Sequence, residues 1–108
     1  MPNLTFHIRA DRMPSDAQLG ELSRDCVELC TEKLEVEIGN VHVIYSAVRN
    51  GYGQPVFAEI QYRLNAFRTA AVMDRFMESL DGAITRRTGL KARIRCFGYA
   101  ASTIHARN

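Results

Sequence analysis

The second residue carries the most chemical potential. Met1-Pro2 opens the sequence, and removal of Met1 would leave Pro2 as a terminal secondary amine, able to act as a base or a nucleophile. Small second residues such as proline permit that removal. An α-amino group ordinarily titrates near 7.7–8. Burial disfavours its charged form and neighbouring guanidinium groups disfavour it further, so both lower that value. A drop of about 1.5 units costs the ammonium about 2 kcal/mol and leaves mostly free base at neutral pH. That is the state that removes a proton from the carbon next to a carbonyl. The enolate so formed needs positive charge, and Arg12, Arg93 and Arg95 are candidates to clamp a substrate carboxylate and polarise the carbonyl oxygen. Leu4, Phe57 and Phe97 are candidates for apolar walls around the amine.

Other reactive side chains form weaker patterns. His7, His42 and His105 show no ligand or triad spacing, and nothing supports Ser23 or Ser46 as a nucleophile. Cys26, Cys30 and Cys96 are odd in number, which argues against a disulfide framework. Cys26 and Cys30 lie one helical turn apart, but no His or Asp completes a metal set, so buried free thiols and no metal are expected. With a formal net charge of +2 and no basic run beyond Arg86-Arg87, no nucleic-acid partner is expected. No apolar stretch approaches the roughly 20 residues of a membrane span. A basic segment followed by an apolar run is also missing, so no membrane association and a cytoplasmic location are expected.

The elements that must position these groups follow from hydropathy period. Leu4, Phe6 and Ile8 alternate with Asn3, Thr5, His7 and Arg9, the period-two signature of a half-buried strand. Proline lacks a backbone donor, yet at a strand's first position this costs little. Ser15-Asp16-Ala17-Gln18 reads as a capping box, and Leu19, Leu22, Cys26, Leu29, Cys30 and Leu34 recur at helical spacing, predicting a helix over about 15–34. Val41 to Ser46 reads as a second strand. Arg49 to Pro55 is a glycine-rich loop whose Tyr52 is either a packing plug or part of a ligand pocket. Val56 to Leu64 reads as a third strand. Asn65 is positioned to cap a helix over about 66–87 with the stripe Met73, Phe76, Met77, Leu80 and Ile84, and Gly89 is positioned to stop it. Lys91 to Ala100 reads as the fourth strand, and Ser102 to Asn108 as a short polar tail.

The order β-α-β, β-α-β suggests a duplicated unit within a single domain, residues 1–108, with pseudo-repeats at about 2–50 and 55–102. Pro2 matches Pro55, Thr31 matches Thr85, and Val41-His42-Val43 matches Ile94-Arg95-Cys96. The expected architecture is α+β: a four-stranded sheet with both helices on one face. The other face carries Ile44, Phe57, Phe97 and Tyr99 among Arg and Gln side chains. That mixture is too apolar for free solvent, so neighbouring subunits are expected to cover it.

Met1-Pro2 before an alternating strand, the duplicated β-α-β pattern, Val41-His42-Val43 and the Gly51-Tyr52-Gly53 loop together resemble the tautomerase superfamily. That superfamily includes 4-oxalocrotonate tautomerase and macrophage migration inhibitory factor. The resemblance spans essentially the whole chain and implies a homotrimer whose sheets enclose a central barrel. It implies a general base or acid at Pro2 and no cofactor. It also implies substrate contacts at Arg12, where the tautomerase has an arginine, and at Lys33, within one position of a pocket lysine of the macrophage factor. His42 stands where the tautomerase has a second arginine, a departure that puts its dicarboxylate substrate in doubt. Tyr52 approximates an aromatic that shields the pocket, and Arg93 and Arg95 occupy the stretch where a Tyr-x-Asn pair is absent.

The expected function is therefore a metal-free keto-enol tautomerase of a small enolisable, carboxylate-bearing acid. Hydration, dehalogenation or decarboxylation is open to the same proline. Two other readings compete: a catalytically inactive trimer of the same fold, and a ferredoxin-like module that binds small molecules. The strands lack the aromatic pair that an RNA-binding module of that order would need.

Overall fold

Alternation along the first strand sets the inside and outside of the sheet. The computed structural model describes residues 1–108. The elements are β1 (Asn3–Arg9), α1 (Asp16–Lys33), β2 (His42–Val48), β3 (Val56–Arg63), α2 (Ala70–Thr88) and β4 (Ala92–Tyr99), with short 3-10 turns at Ala10–Arg12, Ile38–Asn40 and Ala101–Thr103. The strands form one sheet in the order β2-β1-β3-β4. β1 runs parallel to β2 and antiparallel to β3, and β3 runs parallel to β4. Each β-α-β unit thus pairs its own two strands directly. A ferredoxin-like module splits each unit with a strand of the other, so this topology excludes that alternative.

Leu4, Phe6 and Ile8 of β1 and Val56, Ala58, Ile60 and Tyr62 of β3 point under the helices and are buried. They meet Leu22, Cys26 and Cys30 of α1 and Met73, Phe76, Leu80 and Ile84 of α2. Phe6 stacks on Tyr45 with ring centroids 5.3 Å apart. The Tyr45 hydroxyl lies 2.9 Å from Ser23 Oγ and donates to the Leu19 carbonyl, and burial pushes its pKa up to about 12. Ser23 is thereby a core hydroxyl. The thiols of Cys26 and Cys30 are buried and that of Cys96 is partly so; all three are free, and desolvation raises all three.

The first helix begins where its capping box predicts. Ser15 Oγ accepts from Gln18 N at 3.2 Å, and Gln18 Oε1 accepts from Ser15 N at 2.8 Å. At the other end Leu34 caps, Glu35 takes φ +52°, and Leu34 N and Val36 N both donate to the Cys30 carbonyl at 3.2 Å, a left-handed stop with glutamate where glycine is usual. The second helix starts later than its composition suggests. Asn65 does not cap it, because Asn65 Oδ1 accepts from Arg68 N at 2.9 Å and closes a separate turn. Thr69 caps instead, accepting from Val72 N, and Gly89 ends the helix at φ +70°.

The repeat register also differs from the one the two prolines suggest. Leu22, Cys26 and Cys30 correspond to Phe76, Leu80 and Ile84, a shift of 54 positions. A shift of 53 would place half-buried Asn3 on buried Val56 and turn every β3 side chain to the wrong face. Cross-strand pairing equates Tyr45 with Cys96 rather than Val43 with Cys96, because the second helix-to-strand connection is shorter than the first.

An ion-pair network ties the helices together. Arg87 Nε and Nη2 donate to Asp25 at 2.7 and 3.2 Å, Arg87 Nη1 donates to Glu21 at 2.9 Å, and Arg86 Nη2 reaches Asp25 at 3.4 Å. The Arg87 hydrogen bond holds the Asp25 carboxyl below its ordinary 3.8 against an opposing effect of burial. A depressed folded value means stability that is present above 3.8 and lost as pH falls through the folded value. Urea unfolding between about pH 5 and 3 is therefore expected to fall more steeply with acid for the native chain than for Asp25→Asn.

Candidate functional site

Antiparallel pairing of β1 with β3 gives the sheet two chemically different ends. Pro2 precedes β1, and its carbonyl accepts from His42 N at 3.1 Å, so β2 starts beside it. β3 and β4 finish at the same end, where Leu64 N donates to the Tyr99 carbonyl at 2.9 Å. The seven-residue β1 then carries the chain about 20 Å away. Arg12, the Tyr52 loop and the start of β4 lie at that far end.

The proline end holds a cleft of about 490 Å³ whose walls include Met1, Glu35, Glu37, Arg63, Arg68 and Arg107. Asn40 and Asn65 add amide groups. The Pro2 side chain is fully buried, and only Met1 of the pair lines the cleft. Glu35 and Glu37 arrive here through the left-handed stop of α1 and the turn after it. Arg63 is the exposed last residue of β3. Neither Arg63 nor Arg107 has a carboxylate within 4.0 Å.

Arg68 is fixed by backbone. Its Nε and Nη2 donate to the Leu34 carbonyl at 3.1 and 3.0 Å, and its Nη1 donates to the Arg63 carbonyl at 2.7 Å. Leu34 closes α1, where carbonyls lack intrahelical partners and the helix dipole presents partial negative charge. One guanidinium thus satisfies a helix end and joins it to the end of β3. A sequence reading that runs α2 back to residue 66 hides this residue inside a helix. The usable signal was Thr69, a capping residue three positions before Val72, just where the apolar stripe begins.

The sequence-derived candidates divide between the ends. Pro2 and His42 sit together at the proline end, and Lys33, in the last turn of α1, lies on the same side of the fold without lining the cleft. Leu4 and Phe97 are near this end too, Phe97 aligning with Gln61 and Gln61 with Asn3. Tyr52 and Arg93 share a different cleft, of about 440 Å³, with His7 and Phe57. There His7 stacks on Phe57 at 5.9 Å, its Nε2 3.6 Å from Glu59 Oε2. The Tyr52 ring is fully exposed. Arg95 lies midway along the edge strand β4 on the open face, in register with Glu59. Arg12 is exposed, and its neighbour Asp11 is taken by Arg9 at 2.9 Å, which leaves Arg12 without a carboxylate.

No family model matches the chain, and no curated protein matches it in sequence. Solved structures do. Malonate semialdehyde decarboxylase, described with a variant in which a leading proline is alanine, superposes with a TM-score of 0.75 at 16% identity over 99% of this chain and 92% of its own. Macrophage migration inhibitory factor of Toxoplasma gondii gives 0.76 at 17% over 97% and 96%. A fused 4-oxalocrotonate tautomerase described as a symmetric trimer gives 0.80 at 16% over 99% and 93%. This chain has the tautomerase fold. Likeness at that identity is a statement about the arrangement of strands and helices, and both β-α-β units take part in it.

Removing Arg68 strands two carbonyls at the proline end. Arg68→Ala is expected to lower unfolding free energy by about 2 kcal/mol, read by denaturant titration. Arg68→Lys is expected to recover less than half of the loss, since an ammonium cannot span both acceptors in the fork geometry.

Proposed function

We propose that the chain, once Met1 is removed, is a tautomerase of a small enolisable carboxylic acid with Pro2 as its proton carrier. The observation that supports this most is the position of Met1, which is joined to buried Pro2 and lines a cleft that also holds Arg63, Arg68 and Arg107. Cleavage of the Met1-Pro2 bond exposes the proline nitrogen to the space Met1 occupied. That nitrogen takes a proton from the carbon next to the substrate carbonyl, and the C–H electron pair moves into the enolate. The same N–H then returns the proton to the oxygen or to a conjugated carbon, leaving atoms and charge balanced. Arg63 holds the substrate carboxylate, and Arg68 keeps the cleft in shape.

Assembly completes the reading. Ile44, Phe97 and Tyr99 are substantially exposed on the sheet face away from the helices. A homotrimer covers that face and pairs the outer edges of β2 and β4. About 20 Å separates Arg12, Tyr52 and Arg93 from Pro2 of the same chain, so these three serve substrate only at a neighbour's proline. His42 and Lys33 belong to the chain's own site, and Arg95 to the barrel wall. No membrane contact is part of this proposal, and no helix is long and apolar enough to cross one. A cytoplasmic location belongs to the same reading.

Mass spectrometry of protein from native cells is expected to show a chain lighter by one methionine. Incubation with 2-oxo-3-pentynoate, whose conjugated alkyne accepts an amine lone pair, is expected to add one equivalent at Pro2. Turnover of phenylenolpyruvate or 2-hydroxymuconate is expected to fall at least about 100-fold in Pro2→Ala. In the active enzyme kcat/KM should rise with pH through an apparent pKa below about 7.7. Retained Met1, or undiminished turnover in Pro2→Ala, overturns the mechanism. A trimer without turnover would favour the inactive binding subunit. Sedimentation equilibrium is expected to return three times the 12.2 kDa chain mass.

A further inference from the structure

The segment after β4 enters the same cleft, and the charge balance there gives it a task. After Tyr99 the Ala101–Thr103 turn reverses the chain, with Thr103 Oγ1 donating to the Ala100 carbonyl at 2.8 Å and Ile104 N donating to the Ala101 carbonyl at 3.2 Å. Ile104 is half-buried, and His105 to Asn108 are exposed. These last four residues form no hydrogen bond or ion pair. Ala106, Arg107 and Asn108 nevertheless line the cleft beside Met1.

Three guanidinium groups face this space, and they are not equivalent. Arg68 spends three N–H groups on two backbone carbonyls. Arg63 and Arg107 are unpaired although Glu35 and Glu37 line the same walls. Arg63 stands on a strand end and is positioned before any ligand arrives. Arg107 rides on a strap held by one apolar side chain, so moving it breaks no hydrogen bond.

We infer that Arg107 is a substrate-contacting residue, and that residues 104–108 form a strap that closes over the bound carboxylate opposite Arg63. This deepens the proposed function and rests on the same cleft being the site. A guanidinium on each side of a carboxylate gives charge-assisted hydrogen bonds from two directions. The strap selects for a small acid, because the carboxylate has to reach Arg63 at the cleft wall while Arg107 folds across it.

The test is a calorimetric titration of the Met1-free protein with fumarate, an unreactive dicarboxylate, with fumaramide as its uncharged counterpart. Arg107→Ala is expected to weaken fumarate binding at least about tenfold and to leave the response to fumaramide unchanged. Arg107→Lys is expected to recover most of the affinity and Arg107→Glu none. Arg75→Ala, an exposed cation on α2 outside the cleft, controls for net charge. The strap is overturned if Arg107→Ala weakens fumarate no more than Arg75→Ala does, or if the native protein binds no fumarate. Fumarate binding that depends on Arg107, without an adduct at Pro2, would remove the catalytic reading and keep the strap. An adduct at Pro2 with binding indifferent to Arg107 would do the reverse.

Discussion

Two helices can cover only one face of a four-stranded sheet, and every other feature of this chain adapts to that limit. The covered face takes the even-numbered residues of β1, whose side chains are essentially inaccessible. The odd-numbered ones form rows with their neighbours across the open face: Ile44, Thr5, Glu59 and Arg95 in one, Ser46, His7, Phe57 and Arg93 in the next. Glu59 is the only carboxylate in these rows; it lies 3.6 Å from His7, while Arg95 opposite donates to the Ile94 carbonyl instead. The face is therefore apolar at several positions and cationic along β4. Such a surface suits contact with other sheets better than contact with water.

The same strand arrangement fixes where chemistry can happen. Within each unit the crossover helix makes the two strands parallel, so both begin at one end. Antiparallel joining of β1 to β3 then puts the start of the second unit at the far end from the start of the first. Pro2 opens one unit and Pro55 immediately precedes the other, yet only Pro2 can become an amine. A chain built of two similar halves thus has two chemically unlike ends. That asymmetry explains why Arg12, Tyr52 and Arg93, expected to contact substrate, gather at the opposite end of the sheet from Pro2 of the same chain.

Period and capping made most of the fold legible. Strand alternation, the Ser15 to Gln18 box and the Gly89 stop are local signals, each decided within a few residues. What the sequence concealed depends on contacts between distant segments. Arg68 touches Leu34 across 34 positions, and no pattern near either residue announces the pair. Asn65 looked like a helix cap because its type permits one, and its amide was spent on a turn instead. The prolines misled the repeat alignment by one residue, since a shared residue type says nothing about which face a neighbour takes. Pro2 could be proposed from its type and position alone, whereas Arg63 and Arg107 enter the proposal only through the cleft they line.

Those surroundings also change the reason the proline amine would be neutral. The sequence reading has burial and nearby guanidinium groups both lowering the pKa of that amine. At the proline end Arg63 and Arg107 are matched in number by Glu35 and Glu37, and Arg68 is set against the partial negative charge at the end of α1. Formal charge around the nitrogen therefore nearly cancels. In the proposed site desolvation is what remains: the Pro2 ring is buried and its carbonyl accepts from His42 N, so a freed amine would face the cleft from an apolar base. Burial acts on an ammonium whether or not a carboxylate ligand has arrived, whereas the arginines lose their influence once a substrate anion pairs with them. In the proposed site, an amine kept neutral by arginines alone would tend to protonate once a substrate anion paired with them, whereas the effect of burial would persist.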